Sequence, residues 1–434
     1  ETALWGALIK TPLIQLQEAA ANSRSSDEQG WLSLAILAQT HKKNLDQELA
    51  ALQRWLQRWP LHPAALNLPQ ELALLELIIT ERPSNVVLML PLNGANAVAG
   101  KAIRDGFIAA YYEARSAGGE TPSIRIIDTT QKADFIDLYN EAVLQGADFI
   151  IGPLEKQHVL ALQRSPQLTV PTLALNYGDE QSNVEQLYQF GLSAEDEARQ
   201  VAEKAWLSGY KTSLMLTPGT AWGQRVAESF SEKWKQLGGT LLESSHFSAD
   251  KSYSKAIEEL FNIDTSKQRA RRLQSIIGRN SEFTARRRSD VDFIFVVATP
   301  NQARQIKPTL AFHFAGSTPV YATSHIYSGT ASPLLDRDLA GVIFAETPWL
   351  LSYQNNTLKQ SIDSNWPDNA GQLGRLYALG VDAYQLFPRI QLLSTNRENK
   401  IAGATGLLTL DATGRVVRTL EWAHIINGKI TPLP

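Results

Sequence analysis

The chain has 434 residues, with 41 Lys and Arg against 44 Asp and Glu, a formal net charge of −3 and no cysteine. That length exceeds what one hydrophobic core usually organises, so two or three domains are expected. The charge balance gives no general pull towards nucleic acid or anionic membrane, and the lack of cysteine excludes disulfides, thiolate metal sites, a cysteine nucleophile and a lipid-bearing cysteine within these residues. The longest apolar runs, Leu72 to Thr80 and Val291 to Ala298, are far shorter than a membrane span. The first residue is Glu1 and an amphipathic pattern already runs from Leu4 to Leu16, so the start is expected to be a processed or truncated end.

Residues 1–82 read as helical, with Leu and Ala at three- and four-residue spacing and no strand-like alternation. Within "WLSLAILAQTHKKNLDQELAALQRWLQRWP", Trp31, Leu34, Ala35 and Ala38 take the first-helix positions of a tetratricopeptide unit and Pro60 closes the second helix. Trp5 and Leu8 repeat the Trp-x-x-Leu spacing 26 residues earlier, short of the roughly 34-residue period, so a plain helical bundle stays open as the alternative.

At "TERPSNVVLMLPL" the pattern changes, because Pro83 and Ser84 stop the helix before a buried-strand run. Strands are predicted at Val86–Leu90, Ile124–Asp128, Phe149–Ile151 and Thr172–Leu175, alternating with helices at Val98–Ala117, Ala133–Gln145 and Glu155–Arg164. A second series opens at Ser193, where Ser193 and Asp196 suit a capping box for a helix to Ser208. Strands then fall at Ser213–Leu216, Leu241–Phe247, Phe293–Ala298 and Val320–Ala322, with helices near Gly223–Leu237, Ser254–Phe261 and Gln302–His313. Repeated βαβ units imply two doubly wound lobes with parallel sheets. Val342–Glu346, a helix from Leu373 to Leu393 and the antiparallel "GLLTLDATGRVVRTLEWAHIINGKI" complete them. The expected organisation is a helical segment over 1–82 and a two-lobed domain over 83–434. Lobe 1 takes about 84–191 and 347–400, and lobe 2 about 192–346 and 401–434.

Chemical motifs are weak. "MLPLNGANAVAGKAIRDGF" looks like a phosphate loop, but five residues separate Gly94 from Gly100 instead of four, and Ala102 stands where Ser or Thr would hold magnesium. Ser-x-x-Lys occurs at Ser208–Lys211, Ser248–Lys251 and Ser252–Lys255, without the companion motifs of an acylating enzyme. The seven histidines have no paired spacing that would mark a zinc site. Glu195-Asp196-Glu197 reads as a complement to a helix dipole. The expectation is a protein without catalysis, cofactor or metal.

The order of elements resembles the type I periplasmic-binding-protein fold, carried by "VVLMLPLNGANAVAGKAIRDGFIAAY", "DFIIGPL", "VPTLALNY", "LTPGTAWGQRVAESF" and "GATGLLTLDATGRV". With the helical segment and an Arg-rich insert, the whole chain resembles the LpoA family of outer-membrane lipoproteins. That resemblance implies a lipid-anchored protein on the periplasmic face of the outer membrane. Its α/β domain would contact the docking domain of penicillin-binding protein 1a, a class A synthase, and activate peptidoglycan synthesis, with peptidoglycan as a further candidate partner. The resemblance also implies that the helical segment belongs to a larger tetratricopeptide-like domain.

Two candidate sites follow. Ligands of open α/β sheets sit beyond the carboxyl ends of the strands, which selects Asn93, Gly94, Gly152, Asn176, Tyr177, Thr217, Trp222, Ser324 and His325 as a candidate cleft. The loop "GPLEK" lacks the hydroxyl that amino-acid binders of this fold use, whereas the amides and aromatics suit a sugar or muropeptide. The second candidate is "SKQRARRLQSIIGRNSEFTARRRSD", whose Arg269, Arg271, Arg272, Arg279, Arg286, Arg287 and Arg288 suit an acidic partner surface. Its alternative is a solvated helix pair with Leu273, Ile276 and Ile277 packed down. The insert has few aromatics beyond Phe283 to stack on bases, so nucleic acid is not expected. The two functional readings are a scaffold that activates a cell-wall synthase and a periplasmic solute-binding or sensing protein.

Overall fold

A computed structural model describes residues 2–41, 44–179, 184–277, 287–351, 357–366, 371, 373–395 and 399–433. The N-terminal segment is helical: α1 (Thr2–Leu8), α2 (Leu13–Asn22), α3 (Ser26–His41), α4 (Leu45–Arg58), α5 (Pro63–Leu66), α6 (Gln70–Ala73) and α7 (Leu75–Thr80). Asn44 starts α4 by accepting a bond from Gln47 N at 3.1 Å. Trp31, Leu34 and Ala35 of α3 share one core with Leu52 and Trp55 of α4. The Trp55 indole is satisfied by Ser33 Oγ at 2.9 Å. The spacing that suggested a repeat therefore marks a helix pair closed on its aromatic face.

The first sheet then forms from β1 (Asn85–Leu90), α8 (Ala97–Ser116), β2 (Ser123–Asp128), α9 (Phe135–Leu144), β3 (Phe149–Ile151), α10 (Lys156–Gln163), β4 (Thr172–Ala174) and β5 (Leu187–Phe190). Next come α11 (Ala194–Leu207), β6 (Thr212–Pro218), α12 (Ala221–Gln236), β7 (Thr240–Phe247), α13 (Tyr253–Leu260), α14 (Ile263–Ile277), β8 (Phe293–Val296), α15 (Pro300–Phe312), β9 (Val320–Ala322) and β10 (Val342–Glu346). The remainder is α16 (Pro348–Leu351), α17 (Thr357–Asn365), α18 (Gly374–Leu386), α19 (Ile390–Thr395), β11 (Ile401–Ala402), β12 (Leu407–Leu410), β13 (Arg415–Thr419), β14 (Glu421–Ile426) and β15 (Lys429–Leu433).

The sheets run β11-β12-β13-β5-β4-β3-β1-β2 and β15-β14-β10-β9-β8-β6-β7. Pairing is parallel from β2 through β13 in the first and from β7 through β10 in the second. Antiparallel strands close the other edge of each. Strands buried on both faces need two apolar layers. In the second sheet Phe293 and Phe295 meet Phe230, Trp234 and Val201 from α12 and α11 on one side. The intervening Ile294 and Val296 are also buried.

Two compact units result. One is Glu1–Leu192, Asn355–Asn369 and Leu373–Thr419, and the other Ser193–Gln354, Ala370–Gln372 and Leu420–Pro434. Three boundaries differ from the sequence reading. The helical segment groups with the first lobe, where the partly buried Arg389 Nη2 reaches the buried Glu48 Oε2 at 2.7 Å. Residues 347–354 fall in the second unit. Residues 401–419, expected in lobe 2, are β11 to β13 of the first sheet, because Arg415 and Val416 pair with Gln189 and Phe190 of β5. The alternating pattern of these strands fits either sheet edge, and β5, the strand that decides the matter, is too short at four residues to be read from sequence. The predicted 373–393 helix is likewise interrupted at Phe387–Arg389, where Pro388 cannot donate a helical bond.

The first unit is discontinuous, and α8 against α18 closes it. The backbones approach so nearly that a Cβ on Gly106 would lie 2.2 Å from Tyr377 O, and one on Gly380 2.0 Å from Ile103 O. Gly380→Val is expected to lower the unfolding free energy by about 3 kcal/mol, measured by urea denaturation. Arg389→Ala, which strands Glu48 as an unpaired buried charge, is expected to cost about 3–5 kcal/mol in the same assay.

Candidate functional site

The nine cleft candidates divide between the units. In the first, Asn93 and Gly94 follow β1, Gly152 follows β3, and Asn176 and Tyr177 follow β4, all beyond strand carboxyl ends. Asn93 Nδ2 donates to Asp128 Oδ2 at 2.6 Å. Asp128 also accepts from Leu92 N and Thr130 N at 3.0 Å each and from Thr130 Oγ1 at 2.8 Å. Burial pushes this carboxyl up, but those donors outweigh it and hold it at about 2. Asn176 spends its amide on Leu154 O and Tyr177 N, each at 2.9 Å. The Tyr177 hydroxyl donates to Val416 O at 2.7 Å, with the Arg415 guanidinium 4.4 Å from its ring centroid. Gly152 has φ +107°, and a Cβ there would lie 2.0 Å from Met89 O, so close packing explains this glycine.

In the second unit Thr217 lies near the end of β6, Trp222 in the first turn of α12, and Ser324 and His325 just after β9. Ser324 donates through N and Oγ to the two oxygens of Glu197, at 2.8 and 3.0 Å. His325 Nδ1 is 3.7 Å from the same carboxylate, and its ring centroid is 5.0 Å from that of Trp222. Glu197 is only 3% exposed. Sequence reasoning gave it a dipole role, but its side chain pins the loop after β9. Asp128, unselected from the sequence, organises the first half in the same way.

The Arg-rich insert takes in most of α14, and its residues 287–290 lead towards β8. Arg269, Arg271 and Arg272 are exposed. Leu273 is 57% and Ile276 73% exposed, so the expected packing of this face does not occur at these two residues. Arg288 holds Asp290 through Nε at 2.9 Å and Nη2 at 3.0 Å. Arg287 donates to Arg288 O at 3.2 Å and lies over Phe261. Arg279 and Arg286 lie outside the described residues.

The Ser-x-x-Lys motifs have structural occupations. Ser208 Oγ donates to Lys204 O at 2.8 Å, and Lys211 Nζ lies 3.1 Å from the Trp206 ring centroid. Lys251 pairs with Glu259, and Ser252 caps α13 by accepting from Lys255 N at 3.3 Å. Lys101, from the phosphate-loop look-alike, is exposed within α8. Among the described residues no three His, Asp or Glu side chains gather as a metal site would require, and no helix is long and apolar enough to cross a membrane.

The model of the LppC lipoprotein family matches residues 2–428. The chain belongs to the LppC family. A curated relative from Vibrio antiquarius, penicillin-binding protein activator LpoA, is 32% identical over 404 residues, covering 91% of this chain and 66% of the relative. This LppC member therefore spans slightly less than two thirds of that relative's length. The crystal structure of full-length LpoA from Haemophilus influenzae superposes with a TM-score of 0.66 at 25% identity, over 99% of this chain and 73% of that one. The C-domain of the same protein, described as a regulator of PBP1A, gives 0.63 at 26% identity, over 81% of this chain and 100% of that one. The two-lobed periplasmic-binding-protein-like fold with a helical N-terminal segment, expected from sequence, is the fold of this LppC chain.

A carboxyl held below its ordinary value stabilises the fold above that value, and its contribution is lost as pH falls through the folded one. For Asp128 the window runs from 3.8 down to about 2. Asp128→Asn is expected to flatten the loss of thermal stability in that window relative to the unaltered chain, checked by melting curves at stepped pH.

Proposed function

We propose that this chain serves as a non-catalytic activator on the periplasmic face of the outer membrane, binding and stimulating a class A penicillin-binding protein. The observation that carries this reading is the likeness, over almost the whole chain, to LpoA proteins named as penicillin-binding protein activators. The Haemophilus influenzae C-domain, described as regulating PBP1A, supports PBP1A as the partner. The docking domain of that synthase is the contact we assign, and a lipid anchor outside these residues would tether the activator.

The polar commitments at the strand ends favour this over solute binding. A small-molecule site needs groups whose hydrogen bonds are completed by ligand. Here the Asn93 and Asn176 amides and the Ser324 hydroxyl already bond within their own units. A role without chemistry also suits the structural occupations of the serines and lysines that might have formed a nucleophile.

For docking we assign the exposed face of α14, where Arg271 and Arg272 lie beside Leu273 and Ile276. Arginine next to exposed aliphatic side chains combines charge steering with area to bury. Immobilised class A synthase is expected to retain the chain, and Arg271→Glu with Arg272→Glu to weaken retention by about tenfold, most strongly at low salt. No retention of the unaltered chain would count against the activator reading. Retention untouched by the reversal would move the docking face elsewhere.

A further inference from the structure

Beside the exposed face of α14 lies a hollow of about 420 Å³ at the turn from α13 into α14. Arg269, Arg287 and Arg288 line it together with Asn262, Thr265 and Asp290. Three guanidiniums thus share the space with one carboxylate, and Arg288 already engages both oxygens of that carboxylate. Among the described residues no carboxylate lies within ion-pair reach of Arg269 or Arg287. Among the described residues two of the positive charges that line the hollow therefore have no ion-pair partner of their own, in a chain whose net charge is −3. Their mutual repulsion is a cost that an incoming anion relieves.

Arg287 and Arg288 are also held in place. Arg287 is fixed by its bond to Arg288 O and by Phe261, a wholly buried ring 5.7 Å from its guanidinium carbon. Arg288 N donates to Phe261 O at 3.2 Å, which ties this stretch of backbone to the turn. Asn262 makes the corner with φ +56°, and its N donates to Glu259 O at 3.0 Å. Arg269 follows Thr265 one turn along α14 and so faces the same way. Charges positioned before binding lose little entropy when the ligand arrives.

We propose that this hollow is an oxyanion site that takes a carboxylate borne on a short peptide. Guanidinium forks match a carboxylate or a phosphate. Asp290 offsets one of the three positive charges, and the smaller field that remains offsets the desolvation of a singly charged carboxylate more readily than the larger desolvation cost of a dianionic phosphate. The volume exceeds what a lone carboxylate fills, and the Asn262 amide, with the acceptor side of the Thr265 hydroxyl, whose proton goes to Asp264 Oδ1 at 3.3 Å, supplies neutral partners for the peptide groups that follow it. The site is independent of the docking reading, since it concerns a ligand's carboxylate and not the synthase.

The test titrates the whole chain with acetyl-Ala-Ala as the free acid, with the corresponding amide and with inorganic phosphate, followed by calorimetry. The acid is expected to saturate with Kd on the order of 1 mM, and the amide and phosphate to bind at least about tenfold more weakly. Arg269→Gln, an exposed helical position, and Arg287→Gln should each weaken the acid by about tenfold, while Arg24→Gln, exposed on the helical segment, leaves it unchanged. Melting curves of each variant separate lost binding from lost folding, and Arg269→Gln alone suffices if Arg287→Gln unfolds. Equal binding of acid and amide, phosphate binding more tightly than the acid, no saturation by the acid, or an Arg269→Gln variant that binds like the unaltered chain would each overturn the assignment.

Discussion

The contact on which the first unit depends is the crossing of α8 and α18 at Gly106 and Gly380. A chain that leaves a lobe at Leu192 and returns about 160 residues later has to recover its place by tertiary contact alone. Two glycines let the helix backbones meet, and the aromatic rings of Phe107 and Tyr384, with centroids 5.3 Å apart, pack next to the crossing. With α18 seated there, Arg389 lies in reach of Glu48, and the helical segment joins the same unit. A bulkier residue at the crossing would therefore loosen a returning helix and also the join to the helical segment.

A second regularity concerns the strand ends. The fold leaves backbone donors and short polar side chains beyond the carboxyl ends of parallel strands, where binding proteins place their ligands. In this chain two buried carboxylates satisfy many of those donors, Asp128 in the first unit and Glu197 in the second. Internal carboxylates bonded in this way hold the loops rigid. The tyrosine expected to meet a ligand instead bonds to a carbonyl of β13.

Charge without local neutralisation is concentrated on the insert. Several arginines elsewhere find acids close by, as Arg304 does with Asp336 at 2.8 Å and Arg82 with Glu120 at 2.9 Å. On α14 they stand on an exposed helix together with two exposed aliphatic side chains. That combination costs solubility and self-repulsion, and a partner or an anion removes both costs. It gives the insert a role distinct from the apolar layers of the sheets.

Much of this architecture was legible in the sequence. The change from helical spacing to short apolar runs at Pro83, the alternation of strand and helix, and the Ser193 cap are local signals, written by residues a few positions apart. The choice of sheet for β11 to β13 was not, because an alternating edge strand suits either sheet until β5 offers its open edge. Nor were the roles of Glu197 and Asp128, since a carboxylate at a helix start or strand end looks alike whether it faces water or buried donors. The arginine excess of the insert was plain in the sequence, but only the fold decided that Leu273 and Ile276 stay exposed and that Arg269 and Arg287 face one hollow. Sequence determines element type through local spacing, whereas pairing, burial and charge convergence depend on residues that meet only after the chain has folded.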